Sequence, residues 1–335
     1  MKSILFTYFP AFVLWSHACS LLTAICKEAG INADYEPLWP GFFERMLKYD
    51  VIGFSFVCDA DYQMSLPYLR AAQAAGKEVI AGGVYARRGG YIDPELVDLI
   101  CRGEAEPIVG YQKDGDRSIF NEKYYQKSID GLPMPDLSHY TTYELHRGYP
   151  FLQGVRIVPY QSSRGCCSPC AFCEVRYQPK GLRMKHTIAA DMVALNEKYH
   201  PNLFWFAEEL PPYYSDEWRD QMKDIFFPFM CYIRADIEPE HLEFMIAHGM
   251  KVACFGIESG DERFRNEVLR KNLMDYQIMR TVNTLKKNNI LYLPFYMNGV
   301  PGETKEIVQK TLDMMQTVGG YPTLWKYQDL RITGA

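Results

Sequence analysis

A chain of 335 residues exceeds one ordinary domain and suits two cores, each of about 150 residues. Hydrophobic residues make up 48% of it, enough to fill both, and Pro, Gly, Ser and Lys are concentrated nowhere, so long disorder is not expected. The net charge of −5 argues against a broad nucleic-acid footprint, while leaving room for a local basic patch.

The apolar start, Met1 to Phe6, runs straight into a strand pattern. It ends at Pro10, far short of a membrane span, and no small-residue cleavage site follows, so the cytoplasm is the expected compartment. Lys2–Thr7 reads as a strand and Ser16–Ala29 as a helix, with Leu21, Leu22 and Ile25 on one face and Gly30 as its stop. Ile31–Tyr35 reads as a second strand and Phe42–Lys48 as a short helix. Val51–Phe56 is apolar without alternation, as expected of a parallel strand buried on both faces. The pattern then predicts a helix over Asp61–Ala75, a strand over Lys77–Ala81 running into Gly82-Gly83, and a strand over Leu96–Cys101.

Strands and helices alternating this closely predict an α/β doubly wound parallel sheet. Ligands bind such sheets beyond the carboxyl ends of the strands. Here those ends are Tyr8 to Pro10, Val57 to Asp61, Gly82 to Arg88 and Gly103 to Glu106. The paired glycines would let backbone approach a bulky flat ligand, and a plain tight turn would want them equally. From Lys113 to Gly148 periodicity is weak, and the segment reads as a surface linker. The expected division is therefore 1–112, a linker over 113–150, and a second domain over 151–335.

From Val155 the alternation returns in larger units. Strands are predicted at Val155–Tyr160, Leu203–Phe206, Phe229–Arg234, Val252–Gly256, Leu291–Met297 and Thr323–Leu330, with helices between them at Ile188–Lys198, Asp216–Ile225, Pro239–His248, Asp275–Asn288 and Thr304–Val318. Six β-α units are fewer than the eight of a closed barrel, so a partial (β/α)6 barrel is expected.

Four of the ten cysteines crowd into Cys166, Cys167, Cys170 and Cys173, directly after a strand, which reads as a metal site. Taking Cys166 gives CxxxCxxC; taking Cys167 gives CxxCxxC, a ferredoxin-like spacing that needs a fourth ligand. Cys231 or Cys254 could supply one only from within strands. Three thiolates leave one iron of a 4Fe–4S cubane open to chelate another molecule.

Cys166-x-x-x-Cys170-x-Phe172-Cys173 resembles the signature of the radical S-adenosylmethionine superfamily. The flanks are similar as well: Glu208-Glu209, Arg234-Ala235-Asp236, Phe255-Gly256-Ile257-Glu258-Ser259-Gly260 and Asn298-Gly299-Val300-Pro301-Gly302-Glu303-Thr304. Upstream, Gly53-Phe54-Ser55, Gly82-Gly83-Val84-Tyr85, Arg102-Gly103-Glu104-Ala105-Glu106 and Leu132-Pro133-Met134-Pro135-Asp136 resemble the cobalamin-binding-domain subclass, so the likeness runs over almost the whole chain.

The resemblance implies a 4Fe–4S cluster on Cys166, Cys170 and Cys173. It implies S-adenosylmethionine at Phe172, Glu208, Glu209, Arg234, Glu258, Ser259, Gly299 and Gly302. For cobalamin it implies Tyr8, Pro10, Ser55, Phe56, Gly82, Gly83, Tyr85, Gly103 and Glu104. No Asp-x-His-x-x-Gly is present, so no protein histidine is expected on cobalt.

Plainer readings stand beside several of these. Phe172 could fill the core, Glu208 and Glu209 could lie in a solvated turn, and Arg234 could pair with Asp236 or Glu258. Gly299 and Gly302 could serve a bare turn. The basic run Lys180, Arg183, Lys185 and His186 reads as a solvated face, Cys167 as a bystander, and Tyr177 as a weak active-site candidate.

The activity implied is a cobalamin-dependent methyltransferase acting on an unactivated carbon, in which one S-adenosylmethionine methylates the corrinoid and a second yields the 5′-deoxyadenosyl radical. A radical isomerase or cyclase is the alternative. A methylthiotransferase would need further cysteines to gather from Cys19, Cys26, Cys58 and Cys101, and a non-catalytic iron–sulfur protein would ignore the strand-end motifs. An external electron donor is expected. The end of the sequence after the sixth strand suggests a large substrate (peptide, lipid, tetrapyrrole, nucleobase or antibiotic precursor) or a partner protein covering the barrel.

Overall fold

The computed structural model describes residues 2–10, 16–39, 41–114, 124–125, 127–139, 152–173 and 182–327. The chain forms two compact units.

The first unit is built on β1 (Ile4–Tyr8), β2 (Ala33–Pro37), β3 (Val51–Ser55), β4 (Glu78–Gly82) and β5 (Leu99–Ile100). They lie in the order β2-β1-β3-β4-β5, with every neighbouring pair parallel. Winding reverses between β1 and β3, and that is where a doubly wound sheet opens its ligand crevice. Tyr8 pairs in register with Ser55, and Ser55 with Gly82, so three strands end level at this edge. Leu5, Ile52, Phe54 and Val79 are buried in the sheet and pack with Phe42 and Leu69 from the covering helices. The first helix, His17–Glu28, starts where Ser16 accepts a hydrogen bond from the Cys19 N–H, which satisfies one orphan donor of its first turn.

Two features depart from expectation. A short helix, Gly83–Arg87, follows β4 at once. Gly83 has φ +87°, and a Cβ there would lie 2.5 Å from the Phe56 carbonyl oxygen, so the second glycine of the pair serves the chain's own tight turn. In the expected linker, Ile129 and Leu137 are buried, and residues 131–139 belong to the first unit. Asp136 there accepts from Lys27 at 2.5 Å, and its own carbonyl accepts from the Tyr35 hydroxyl at 2.7 Å. Paired polar groups with little periodicity hold this segment, so no apolar pattern announced it.

The second unit holds β6 (Ile157–Tyr160), β7 (Ser163–Arg164), β8 (Arg183–Met184), β9 (Leu203–Phe206), β10 (Phe229–Tyr232), β11 (Met250–Glu258), β12 (Leu291–Asn298) and β13 (Thr323–Lys326). Six of them run parallel in the order β13-β12-β11-β10-β9-β6, while β7 and β8 pair antiparallel on their own. Consecutive parallel neighbours joined by helices make an α/β partial barrel, with all strand ends on one edge. Phe204, Phe206, Phe229 and Phe255 are fully buried along the strands, and Trp218 is buried from the helix Asp216–Met222.

Candidate active site

The cysteine loop leaves β6 through β7, and Glu208 holds that exit in place. This carboxyl is buried at the end of β9; its Oε1 accepts from Ser162 Oγ at 2.7 Å and its Oε2 from the Ser163 N–H at 2.5 Å. Ser162 Oγ in turn accepts from Trp218 Nε1 at 3.2 Å. Burial pushes the Glu208 pKa up to about 8 against the pull of those hydrogen bonds. Glu209, by contrast, is exposed and accepts from the Gly165 N–H at 3.2 Å. The two neighbouring glutamates are thus separated by environment, one committed inward and one open.

Along the loop Cys170 is buried, Cys166 and Cys173 are half-buried and Cys167 is exposed. The Ser168 N–H points to Cys166 Sγ at 3.4 Å, and Arg234 Nη1 to Cys170 Sγ at 3.8 Å. Cys167 Sγ faces outward to the Tyr214 hydroxyl at 3.4 Å. N–H groups aimed at Cys166 and Cys170 would suit thiolate ligands at those two positions. Cys231 and Cys254 are fully buried in strands, the first with its pKa raised by burial and the second pushed by burial up to about 12, which makes them inert core thiols. Among the described residues no three His, Cys, Asp or Glu side chains already stand gathered as a metal cage. The donor set, three sulfurs on one loop with N–H groups toward two of them, fits a cubane with one open corner.

A second segment grips this loop from the other side, and sequence reasoning missed it. The Ala171 N–H donates to the Leu269 carbonyl at 2.8 Å, and Lys271 Nζ lies 5.4 Å from the centre of the Phe172 ring. Lys271 is buried and paired with Glu258 Oε1 at 2.8 Å. Arg270 and Asn272 on either side have φ of +51° and +52°, and Glu258 itself has +73°, so strained backbone aims this pair. Gly256 is required by it, since a Cβ there would collide with the Glu258 carboxylate. Behind the segment, the fully buried Arg265 donates to the Leu273 and Ser259 carbonyls at 2.8 Å each and to Asp275 at 2.5 Å. An Asn after a Lys, tolerant of left-handed backbone, was the sequence signal available.

The other expected contacts divide. Arg234 forms a two-pronged pair with Asp236, at 2.9 and 2.8 Å, and Glu258 pairs with Lys271 instead. Burial works against the Arg234 charge, but Asp236 outweighs it and leaves the pKa raised. Ser259 is buried, and its hydroxyl accepts from the Asp261 N–H at 3.2 Å, a local turn contact. Phe172 packs beside Phe264, Leu269 and Val300, which brings the loop against the turn after β12. Gly299 (φ +80°) and Gly302 (φ +88°) sit in that turn, where the Gly299 N–H donates to Glu303 at 2.6 Å; among the described residues, chain neighbours aside, no atom stands within 4 Å of a Cβ built at Gly299. The basic run is a solvated face only at His186, which is exposed: Arg183 and Lys185 are buried, and Lys185 reaches Asp191 at 3.1 Å and lies 5.7 Å from the Tyr160 ring centre. Lys180 and Tyr177 lie outside the described residues.

At the crevice of the first unit, Pro10, Ser55, Gly82, Gly83, Tyr85, Gly103 and Glu104 are half-buried, whereas Tyr8 and Phe56 are buried. Tyr85 donates to Asp59 at 2.9 Å. A Cβ at Gly103 would lie 2.2 Å from the Tyr124 carbonyl oxygen, so that glycine too serves the chain's own packing. Buried Thr7 Oγ1 and Asp61 Oδ1 have no hydrogen-bond partner among the described residues.

Residues 160–315 match the family described as the Radical SAM superfamily. The chain carries a radical SAM domain. The cysteine loop lies within the matched span, and a domain of that family implies a 4Fe–4S cluster and S-adenosylmethionine. A curated relative, cytidylyl-2-hydroxyethylphosphonate methyltransferase of Streptomyces wedmorensis, is 24% identical over 213 residues, covering 57% of this chain and 39% of the relative. The chain thus spans about two fifths of that relative's length. Among solved structures, the radical S-adenosylmethionine methyltransferase TsrM from Kitasatospora setae, with cobalamin and a [4Fe-4S] cluster bound, aligns with TM-score 0.74 and 11% identity over 99% of this chain and 77% of its own. The cobalamin-dependent S-adenosylmethionine radical enzyme OxsB aligns with TM-score 0.64 and 14% identity over 94% of this chain and 52% of its own. At such identities the likeness is one of fold, and it spans both units of the chain. No described helix is long and apolar enough to cross a membrane.

Proposed function

We propose that this radical SAM enzyme is a cobalamin-dependent methyltransferase acting on an unactivated carbon. The observation that carries the reading is the joining, in one chain, of a cysteine loop of CxxxCxxC spacing with a 2-1-3-4-5 parallel sheet whose winding reverses between β1 and β3. The methyltransferase relative and the cobalamin-bound structure of the same fold support it. When bound, the cluster would deliver one electron to S-adenosylmethionine to release a 5′-deoxyadenosyl radical, and cobalamin would carry the methyl group.

Cys166, Cys170 and Cys173 hold the cluster. Glu209, exposed beside the loop, accepts from the amino group of S-adenosylmethionine, while Glu208 keeps the loop's exit fixed from within. Phe172, backed by Val300 and Leu269, gives the adenine an apolar surface, and the turn bearing Gly299 and Gly302 offers open backbone there. Glu258, with one oxygen on Lys271, keeps its second for a cofactor hydroxyl or ammonium. Pro10, Ser55, Gly82 and Tyr85 would hold cobalamin; the oxygens of Thr7 and Asp61 at the same edge, unpartnered among the described residues, fit a polar ligand. An external donor supplies the electron.

Anaerobic reconstitution with iron, sulfide and hydroxocobalamin tests the reading. Uptake of corrinoid should appear in the visible spectrum. After reduction with S-adenosylmethionine present, 5′-deoxyadenosine should appear together with S-adenosylhomocysteine, the latter only when cobalamin is bound. Formation of 5′-deoxyadenosine alone would replace methyl transfer with a radical rearrangement.

A further inference from the structure

We infer that Arg234 is a positioning residue that clasps the cysteine loop and raises the reduction potential of the cluster, and is not a contact for S-adenosylmethionine; this rests on the cluster being held by Cys166, Cys170 and Cys173.

A guanidinium has five N–H donors in a fixed fork and no acceptor. In Arg234 each of them has a place to go. Nε and one N–H of Nη2 meet the two oxygens of Asp236, at 2.9 and 2.8 Å. The other N–H of Nη2 meets the Lys271 carbonyl at 2.8 Å. The two on Nη1 meet Ser168 Oγ at 3.1 Å and Cys170 Sγ at 3.8 Å. A cofactor carboxylate arriving here would have to break one of these contacts. The group that sequence position marks as a carboxylate clamp is therefore already spent on the protein.

What it is spent on is the point. Ser168 and Cys170 belong to the cysteine loop, and Lys271 belongs to the segment whose Leu269 carbonyl holds Ala171. One side chain at the end of β10 thus ties the loop to the segment that grips it. Its partner Asp236 fixes the fork and offsets part of the charge, without redirecting the N–H aimed at sulfur. Reducing a cubane adds negative charge that spreads onto its thiolates. An N–H donor and a nearby cation stabilise that state, and cluster potentials follow hydrogen bonds to sulfur and local charge.

The test uses the reconstituted full chain and three variants: Arg234→Gln, Arg234→Lys and Ser168→Ala. Iron and sulfide are assayed first. Potentials are then read by redox titration followed by electron paramagnetic resonance, and S-adenosylmethionine affinity by equilibrium dialysis with labelled compound. At a poise above the midpoint, the reduced fraction in Arg234→Gln should fall about tenfold, equivalent to about 59 mV for one electron. Arg234→Lys should recover part of it, and S-adenosylmethionine affinity should stay within about twofold of the parent. If Arg234→Gln takes up no cluster, a lowered potential in both Ser168→Ala and Arg234→Lys carries the inference. A parental potential in every cluster-bearing variant overturns it, as does a tenfold loss of S-adenosylmethionine affinity with the potential unchanged. If the parent protein itself takes up no 4Fe–4S cluster, the cluster assignment has failed instead.

Discussion

Lys271 Nζ lies 2.8 Å from Glu258 Oε1, and each side chain keeps only 10% of its surface in contact with solvent. Two charges taken this far out of water are stable only because they meet. Removing one leaves the other buried and unpaired, which costs about 3–5 kcal/mol, whereas removing both can be close to neutral. Lys271→Met and Glu258→Gln should therefore each destabilise strongly, and the double variant should regain most of the loss. Denaturant unfolding of the four proteins measures this directly. Additive losses would show that the pair contributes nothing beyond its separate contacts.

The raised pKa of Glu208 makes stability depend on pH with a definite sign. Its folded value, lifted to about 8 by burial, lies above the usual 4.5, so the folded state holds the proton more tightly than the unfolded one. Stability is then full below about pH 4.5 and declines as pH rises toward 8, by a few kcal/mol at most. Glu208→Gln keeps an acceptor for the Ser163 N–H and carries no charge. Unfolding free energies measured from pH 5 to pH 9 should slope less in the variant, and the variant should be the more stable protein at the alkaline end.

Most of the architecture was legible because its signal is local and apolar. Leu203–Phe206 was read to the residue, and the run over Val51–Phe56 differed from the observed strand by one position. Burial on both faces leaves such strands no polar residue to blur their ends. The roles at the site were less legible, since they depend on pairing across distance. Nothing local distinguishes Glu208 from Glu209; what separates them is that Ser162 and Ser163, some 45 residues earlier, reach only the first. Lys185 read as a surface charge because Asp191 and the Tyr160 ring that receive it come from other elements. Lys271 carried no motif at all, and its importance comes from strained backbone and a partner 13 residues away.

Cys166 and Cys167 are adjacent in sequence but differ in surroundings, and cluster assembly should tell them apart. Cys166 Sγ has the Ser168 N–H directed at it, while Cys167 Sγ turns outward to Tyr214. Cys167→Ser should reconstitute to the parental iron and sulfide content and keep the visible charge-transfer band. Cys166→Ser, Cys170→Ser and Cys173→Ser should each lose most of the cluster. The reverse order for the first pair would select the CxxCxxC spacing and require a fourth ligand to be found.

Arg265 should prove the most sensitive position outside the cysteine loop. It is entirely buried, and its hydrogen bonds run to Ser259 at the end of β11, to Leu273 on the gripping segment and to Asp275 at the start of the next helix. Its own carbonyl accepts the Lys271 N–H at 3.1 Å, so the segment that presents Lys271 is shaped around it. Replacement by Met leaves the Ser259 carbonyl without this donor and takes one donor each from the Leu273 carbonyl and the Asp275 carboxylate, a loss of about 3–5 kcal/mol. For a unit of this size the melting temperature should fall by roughly 10 °C. Arg265→Lys should recover little of this, because a single ammonium cannot span three acceptors held by a planar fork. Calorimetry of the cluster-free protein measures the fall, and the same variants should also take up less iron, since the segment that holds Ala171 loosens with them. A melting temperature within about 2 °C of the parent would mean that the segment keeps its shape without the guanidinium.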